Sequence, residues 1–210
     1  MKRIAILGDS YSTYEGFIPA DYISWYAPSG NALDNDVSSV EETWWKILCQ
    51  AMDMEMVCNC SYSGSAVCYT GYPEMDGIGT SFVWRMRRDF RRLAEDGIIP
   101  DYIFLFGGTN DFWNQSPVGD IKYGSQSEVD LNQFAPAFCN VAEHLLTAFP
   151  QSTLIVVIND DITSPVREIM LEISTHYGIS VIELQGIHKQ SGHPSKLGME
   201  QIAKQIQEQI

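Results

Sequence analysis

Four side chains or backbone sites in this sequence carry the makings of acyl transfer. Ser10 follows the apolar run Ile4-Ala5-Ile6-Leu7, Gly64 follows Met54 to Asn59, Asn110 follows Asp101 to Phe106, and His193 comes after Ile179 to Leu184. Cleaving an ester needs a nucleophile, a base within hydrogen-bond reach, and donors aimed at the oxyanion of the tetrahedral intermediate. Ser10 and His193 are of the types that serve as nucleophile and base. The backbone N–H groups of Ser10 and Gly64 and the side-chain amide of Asn110 can act as the donors, each worth about 3 kcal/mol on the scale of a lost oxyanion contact. A glycine at position 64 suits close approach of backbone to substrate, because it has no side chain to stand in the way.

These residues can meet only if the elements before them deliver them to one edge. Short apolar runs broken by glycine and small polar residues read as buried strands ending in tight turns. Five are expected: Ile4–Leu7, Met54–Asn59, Asp101–Phe106, Thr153–Ile158 and Ile179–Leu184. Helical periodicity lies between and after them, over roughly 41–52, 81–96, 131–149, 165–177 and 195–208, with Ser81 as an N-cap and Gly97 as a stop. Strands separated by helices predict a parallel sheet with right-handed crossovers and helices on both faces. In such sheets ligands bind beyond the carboxyl ends of the strands, where all four groups are expected.

In order along the chain, Gly8-Asp9-Ser10-Tyr11-Ser12, Asn59-Cys60-Ser61-Tyr62-Ser63-Gly64, Gly108-Thr109-Asn110-Asp111 and His193-Pro194 resemble the four sequence blocks of the SGNH (GDSL-type) hydrolases. The resemblance spans nearly the whole chain, and the ordered set is far more specific than any single block. It implies a flavodoxin-like three-layer α/β/α fold with a five-stranded parallel sheet. It also implies hydrolysis of ester bonds on acylated sugars, lipids or small esters, without a metal or organic cofactor. By that match Ser10 is the nucleophile, His193 the base, and Gly64 and Asn110 complete the oxyanion hole with the Ser10 N–H; Asp9 and Asp111 are expected to brace loops.

One position departs from the family. An aspartate usually precedes the histidine by three residues, and here Gln190 occupies that place. An ionised carboxylate orients the imidazole and stabilises the imidazolium; exchanging it for an amide in a serine protease costs about 10⁴ in kcat. Gln190 itself, a backbone carbonyl, or an acid from a neighbouring strand end, Asp160 or Asp161, are the candidates to orient the ring. His188 is expected to be an incidental loop residue.

The segment from Tyr11 to Val40 has no sustained period but is rich in aromatics, and is expected to wall or cover the site. Trp25, Tyr26, Tyr69, Tyr72, Phe112 and Trp113 fall in loops at the same sheet edge, which makes an acetylated carbohydrate the expected substrate, with Trp25, Tyr69 and Trp113 as candidate binding residues. A catalytically impaired binding protein is the second reading, motivated by Gln190. A phosphate or flavin binder on the same sheet is the third, and it leaves Asn110 and His193 unexplained.

Composition bounds the rest. A formal charge of −14 repels phosphate backbones and anionic lipid, so neither nucleic acid nor a membrane is an expected partner. The exception is Arg85, Arg87, Arg88, Arg91 and Arg92, expected on a solvated helix face beside Asp89, Glu95 and Asp96. Five cysteines without a Cys-x-x-Cys pair suggest neither a disulfide framework nor a zinc site. One domain spanning 1–210 is expected, and a cytoplasmic location, since no secretory leader pattern opens the sequence.

Overall fold

The computed structural model describes residues 1–29 and 34–210. Its centre is β1 (Lys2–Gly8), paired in parallel with β2 (Met54–Ser61) on one side and β3 (Tyr102–Phe106) on the other. The sheet continues through β4 (Thr153–Ile158) and β5 (Ser180–Glu183), all parallel, in the order β2-β1-β3-β4-β5. The five expected strands are all present. This order reverses direction at β1 and β3, and a crevice opens at such a switch point beyond the strand ends. Ser10 follows β1 and Asn110 follows β3.

Alternation along each strand divides the core into two layers. Ile4, Ile6, Phe104, Phe106, Ile155 and Val157 face one side, where they pack with α1 (Trp44–Met52) and α8 (Lys196–Gln207). Ala5, Leu7, Ile103, Leu105, Leu154 and Val156 face the other. There they meet α3 (Phe82–Arg85) and α4 (Arg91–Glu95), preceded by the short α2 (Gly77–Thr80), together with α6 (Phe134–Ala148) and α7 (Val166–Tyr177). Helices are amphipathic for the usual reason: α8 buries Met199, Ile202, Ala203 and Ile206, three and four residues apart. Met199, Ile202 and Ile206 each contribute about 1.5–3 kcal/mol when fully buried. The result is the expected α/β/α sandwich.

Several local features differ from the periodicity. The helix expected over 41–52 opens as a 3₁₀ turn at Val40–Glu42, capped by Ser39 and Glu42, before α1 begins. The one expected over 81–96 is broken by a π turn at Met86–Phe90 between α3 and α4. α5 (Thr109–Trp113) occupies residues expected to be irregular, and a hairpin of β6 (Lys189–Gln190) and β7 (His193–Pro194) precedes α8. Among the described residues of the long segment after Ser12, no helix or strand occurs before residue 40. Tyr14, Tyr26 and Val37 are nonetheless core residues, and the Tyr26 hydroxyl donates to the Pro194 carbonyl at 2.8 Å. Gly30, expected in that segment, lies outside the described residues. No helix among the described residues is long and apolar enough to cross a membrane.

Candidate active site

Ser10 opens a 3₁₀ turn whose N-cap is Asp9: one carboxylate oxygen accepts the Tyr11 N–H at 3.0 Å. Complete burial pushes the Asp9 carboxyl up to about 7, against the pull of that N–H. The turn is braced from several sides. Thr13 Oγ1 donates to the Ser10 carbonyl at 2.9 Å, Asn59 Nδ2 and Trp45 Nε1 donate to the Ser12 carbonyl at 2.9 and 3.0 Å, and Trp44 Nε1 donates to Ser12 Oγ at 3.1 Å.

His193 arrives on the second strand of the hairpin. The tight connection uses Ser191 and Gly192, both at positive φ (51° and 76°), as a two-residue primed turn requires. Its ring reaches Ser10: Nε2 lies 2.9 Å from Ser10 Oγ. The other nitrogen, Nδ1, lies 3.1 Å from the carbonyl oxygen of Ser191. A carbonyl can only accept, so Nδ1 carries the hydrogen and Nε2 is left with its lone pair toward the serine hydroxyl. Burial depresses the imidazole to about 4; the Ser191 contact opposes this and the positive charge of Lys189 adds to it.

Of the expected candidates to orient the ring, the backbone carbonyl is the one that faces it, and the side chains of Gln190, Asp160 and Asp161 do not. The Gln190 amide oxygen accepts the Asp36 N–H at 2.8 Å. Asp160 accepts the Ile187 N–H and pairs with Lys189 at 2.5 Å, and Asp161 pairs with the same lysine at 2.7 Å. The strand ends did bring Asp160 and Asp161 near, but Lys189, one residue before Gln190, claims both. His188 lies apart from Ser10, with Nδ1 2.6 Å from Ser195 Oγ.

The loop after β2 is tied to the end of β1, and the loop after β3 is tied to the loop after β2. Tyr62 N–H donates to the Gly8 carbonyl at 3.2 Å, and Asn110 Nδ2 donates to the Ser65 carbonyl at 3.0 Å. Asp111 accepts the N–H groups of Val67 and Cys68 at 2.7 and 3.2 Å; burial raises its carboxyl to about 6, and those donors moderate the rise. Gly64 has φ +80°, a conformation that calls for glycine; a Cβ there would also press on the end of the Met75 side chain, 2.8 Å from its Sδ. Among the described residues, no acceptor takes the N–H of Ser10 or Gly64. The Asn110 amide has a second hydrogen beyond the one given to Ser65.

The aromatic candidates separate. Trp25 stacks flat on the His193 ring, centroids 3.6 Å apart and 9° from parallel. Trp113 meets the same imidazole at 69° and 5.9 Å and keeps 37 % of its surface exposed. Tyr69 is a core residue instead of a binding one, with its hydroxyl held by Glu128 and Arg87.

Arg85 is another correction: it is fully buried, not solvated. Its guanidinium donates to the carbonyls of Thr80 and Cys60 and to Ser65 Oγ, the last at 2.7 Å, and lies over the Phe82 ring at 4.5 Å. It therefore clasps both ends of the segment that presents Gly64. Arg85→Met removes the guanidinium donors from the Thr80 and Cys60 carbonyls and from Ser65 Oγ, at about 1–3 kcal/mol for each buried group left unpaired. The expected loss of roughly 3 kcal/mol is read by urea denaturation; a change under about 0.5 kcal/mol would contradict this role.

A family model described as GDSL-like Lipase/Acylhydrolase matches residues 2–210. The chain belongs to this family. Among solved structures, a GDSL-like protein from Bacteroides ovatus is 39 % identical, with 99 % of this chain and 97 % of that one aligned at a TM-score of 0.91. One from Bacteroides uniformis is also 39 % identical, covering 100 % and 95 %, with a TM-score of 0.88. A family two carbohydrate esterase from Clostridium thermocellum, in complex with cellohexaose, shares the fold at 15 % identity, covering 100 % and 63 %, TM-score 0.63. No curated protein matches the chain. The GDSL-like architecture is thus complete, while the ring-orienting group in this member is a backbone carbonyl. A backbone carbonyl was among the expected candidates, but residue types do not say which one: every residue has a carbonyl, and the paired positive φ of Ser191-Gly192 accompanies this one's approach to the ring.

Proposed function

We propose that the protein is a serine esterase that removes short acyl groups, acetyl foremost, from carbohydrate or similar polar alcohols through a Ser10–His193 dyad. The single observation that carries this reading is the 2.9 Å approach of Ser10 Oγ to a histidine nitrogen whose tautomer leaves it free to accept. Ser10 Oγ attacks the ester carbonyl while its proton passes to His193 Nε2. The oxyanion is received by the N–H groups of Ser10 and Gly64 and by Asn110 Nδ2. Collapse expels the alcohol, which takes the proton from Nε2, and leaves an acyl-serine; water, deprotonated by the same nitrogen, then releases the acid.

A short acyl chain is favoured by the crowding of Trp25, Tyr11 and Trp113 around a histidine only 7 % exposed. The exposed indole of Trp113 supports a sugar as the alcohol, as does the shared fold of the cellohexaose-bound esterase. Acetate release from acetylated xylan, compared with cleavage of p-nitrophenyl acetate and of its decanoate, tests the assignment. Fast cleavage of both acetyl substrates with little decanoate turnover is the expected pattern; decanoate as the better ester would contradict it.

The second reading, a binding protein that has lost its chemistry, takes support from the lack of any carboxylate at His193 Nδ1 among the described residues. It predicts sugar binding with no acetate release.

A further inference from the structure

A serine–histidine pair must carry a full positive charge on the imidazole whenever the hydroxyl proton reaches Nε2. Around His193 no anion meets the ring among the described residues. Nδ1 faces the neutral Ser191 carbonyl, Nε2 faces the Ser10 hydroxyl, Lys189 brings charge of the same sign, and Asp160 and Asp161 are paired with that lysine. Tyr11 and Trp113 cross the imidazole plane at 60° and 69°, with centroids 5.4 and 5.9 Å away. Among the described residues, the indole of Trp25 alone lies face to face with it.

We propose that Trp25 stabilises the imidazolium of His193 through its π face, supplying charge stabilisation that a triad draws from a carboxylate. The proposal rests on His193 being the base. A neutral imidazole gains only stacking from the indole, whereas the protonated ring also gains attraction to its quadrupole, so the contact strengthens as the proton arrives. The backbone that carries the indole is held in place. The backbone N–H of Trp25 donates to Thr13 Oγ1 at 2.9 Å, and Thr13 Oγ1 in turn donates to the Ser10 carbonyl. On one side of it the Ile23 carbonyl accepts the Ser63 N–H at 2.9 Å, and on the other the Tyr26 hydroxyl donates to Pro194. The loop is therefore pinned at once to the nucleophile turn, the Gly64 loop and the histidine hairpin. Trp25 acts through His193 and is a positioning residue; the face it lays on the ring is not open to a sugar.

Fluorination of the Trp25 indole tests this, because each fluorine weakens the quadrupole while nearly preserving shape. Site-specific incorporation of monofluoro-, difluoro- and tetrafluoro-tryptophan at position 25 is read by kcat and KM on p-nitrophenyl acetate and by NMR titration of His193. The expected result is a stepwise fall in kcat, reaching roughly tenfold to thirtyfold for the tetrafluoro ring, with KM nearly constant and the His193 pKa lowered by about one unit. Equal rates and an unmoved titration across the series would overturn the proposal. Should the unmodified protein cleave no ester, the esterase reading fails by itself, and the titration still decides whether Trp25 favours the charged ring.

Discussion

Ser10→Ala is expected to lower kcat on p-nitrophenyl acetate by roughly 10⁴ to 10⁶, the range seen when the nucleophile of a serine hydrolase is removed. The hydroxyl's partner is His193 Nε2, so the fold loses one hydrogen bond, about 1 kcal/mol, and the melting temperature should move by only about 2–4 °C. Activity and stability are thereby separated. Turnover within tenfold of the unaltered protein would remove Ser10 from the chemistry; a large fall in melting temperature would mean that its hydroxyl holds the turn together, which the bracing through Asp9, Ser12 and Thr13 argues against.

The second large effect is expected at Asn110. Replacing it with alanine removes a donor that strengthens only as charge develops on the carbonyl oxygen, so kcat should fall about 10² to 10³ while KM changes little. The same amide holds the Ser65 carbonyl, so a stability cost of about 1–2 kcal/mol accompanies it. Asn110→Asp keeps the size but turns an acceptor and a negative charge toward the developing oxyanion, and should be slower still. Equal kinetics for the alanine and aspartate proteins would mean that Asn110 serves only to hold Ser65 in place.

Much of this architecture was legible in the chain because its signals are redundant. Each central strand combines an uninterrupted apolar run with a glycine or small polar stop, and the alternation of Ile4 and Ile6 against Ala5 and Leu7 reappears as the two core layers. Ser10 and His193 could be paired from opposite ends of the sequence because parallel strands send all their carboxyl ends the same way. Where the structure departs from periodicity and residue type, the causes are physical. α5 spans five residues and begins after a glycine at positive φ, too little for helical periodicity to register. Arg85 looked like its four arginine neighbours, yet its place at the end of α3, before a π turn shifts the helix face, puts it under the Gly64 loop. Gln190, Asp160 and Asp161 were reasonable partners for the histidine by residue type, but Lys189 neutralises both acids and the hairpin turn supplies a carbonyl sooner.

Those details converge on one chemical statement about the hydroxyl that ends β1. Incubating the protein with a fluorophosphonate and sequencing its peptides by mass spectrometry asks whether that oxygen is a nucleophile activated by His193. One equivalent of phosphonyl on Ser10, abolished in a His193→Ala protein, is the predicted outcome. An unlabelled Ser10, or labelling that persists at the same rate without the imidazole, would contradict it.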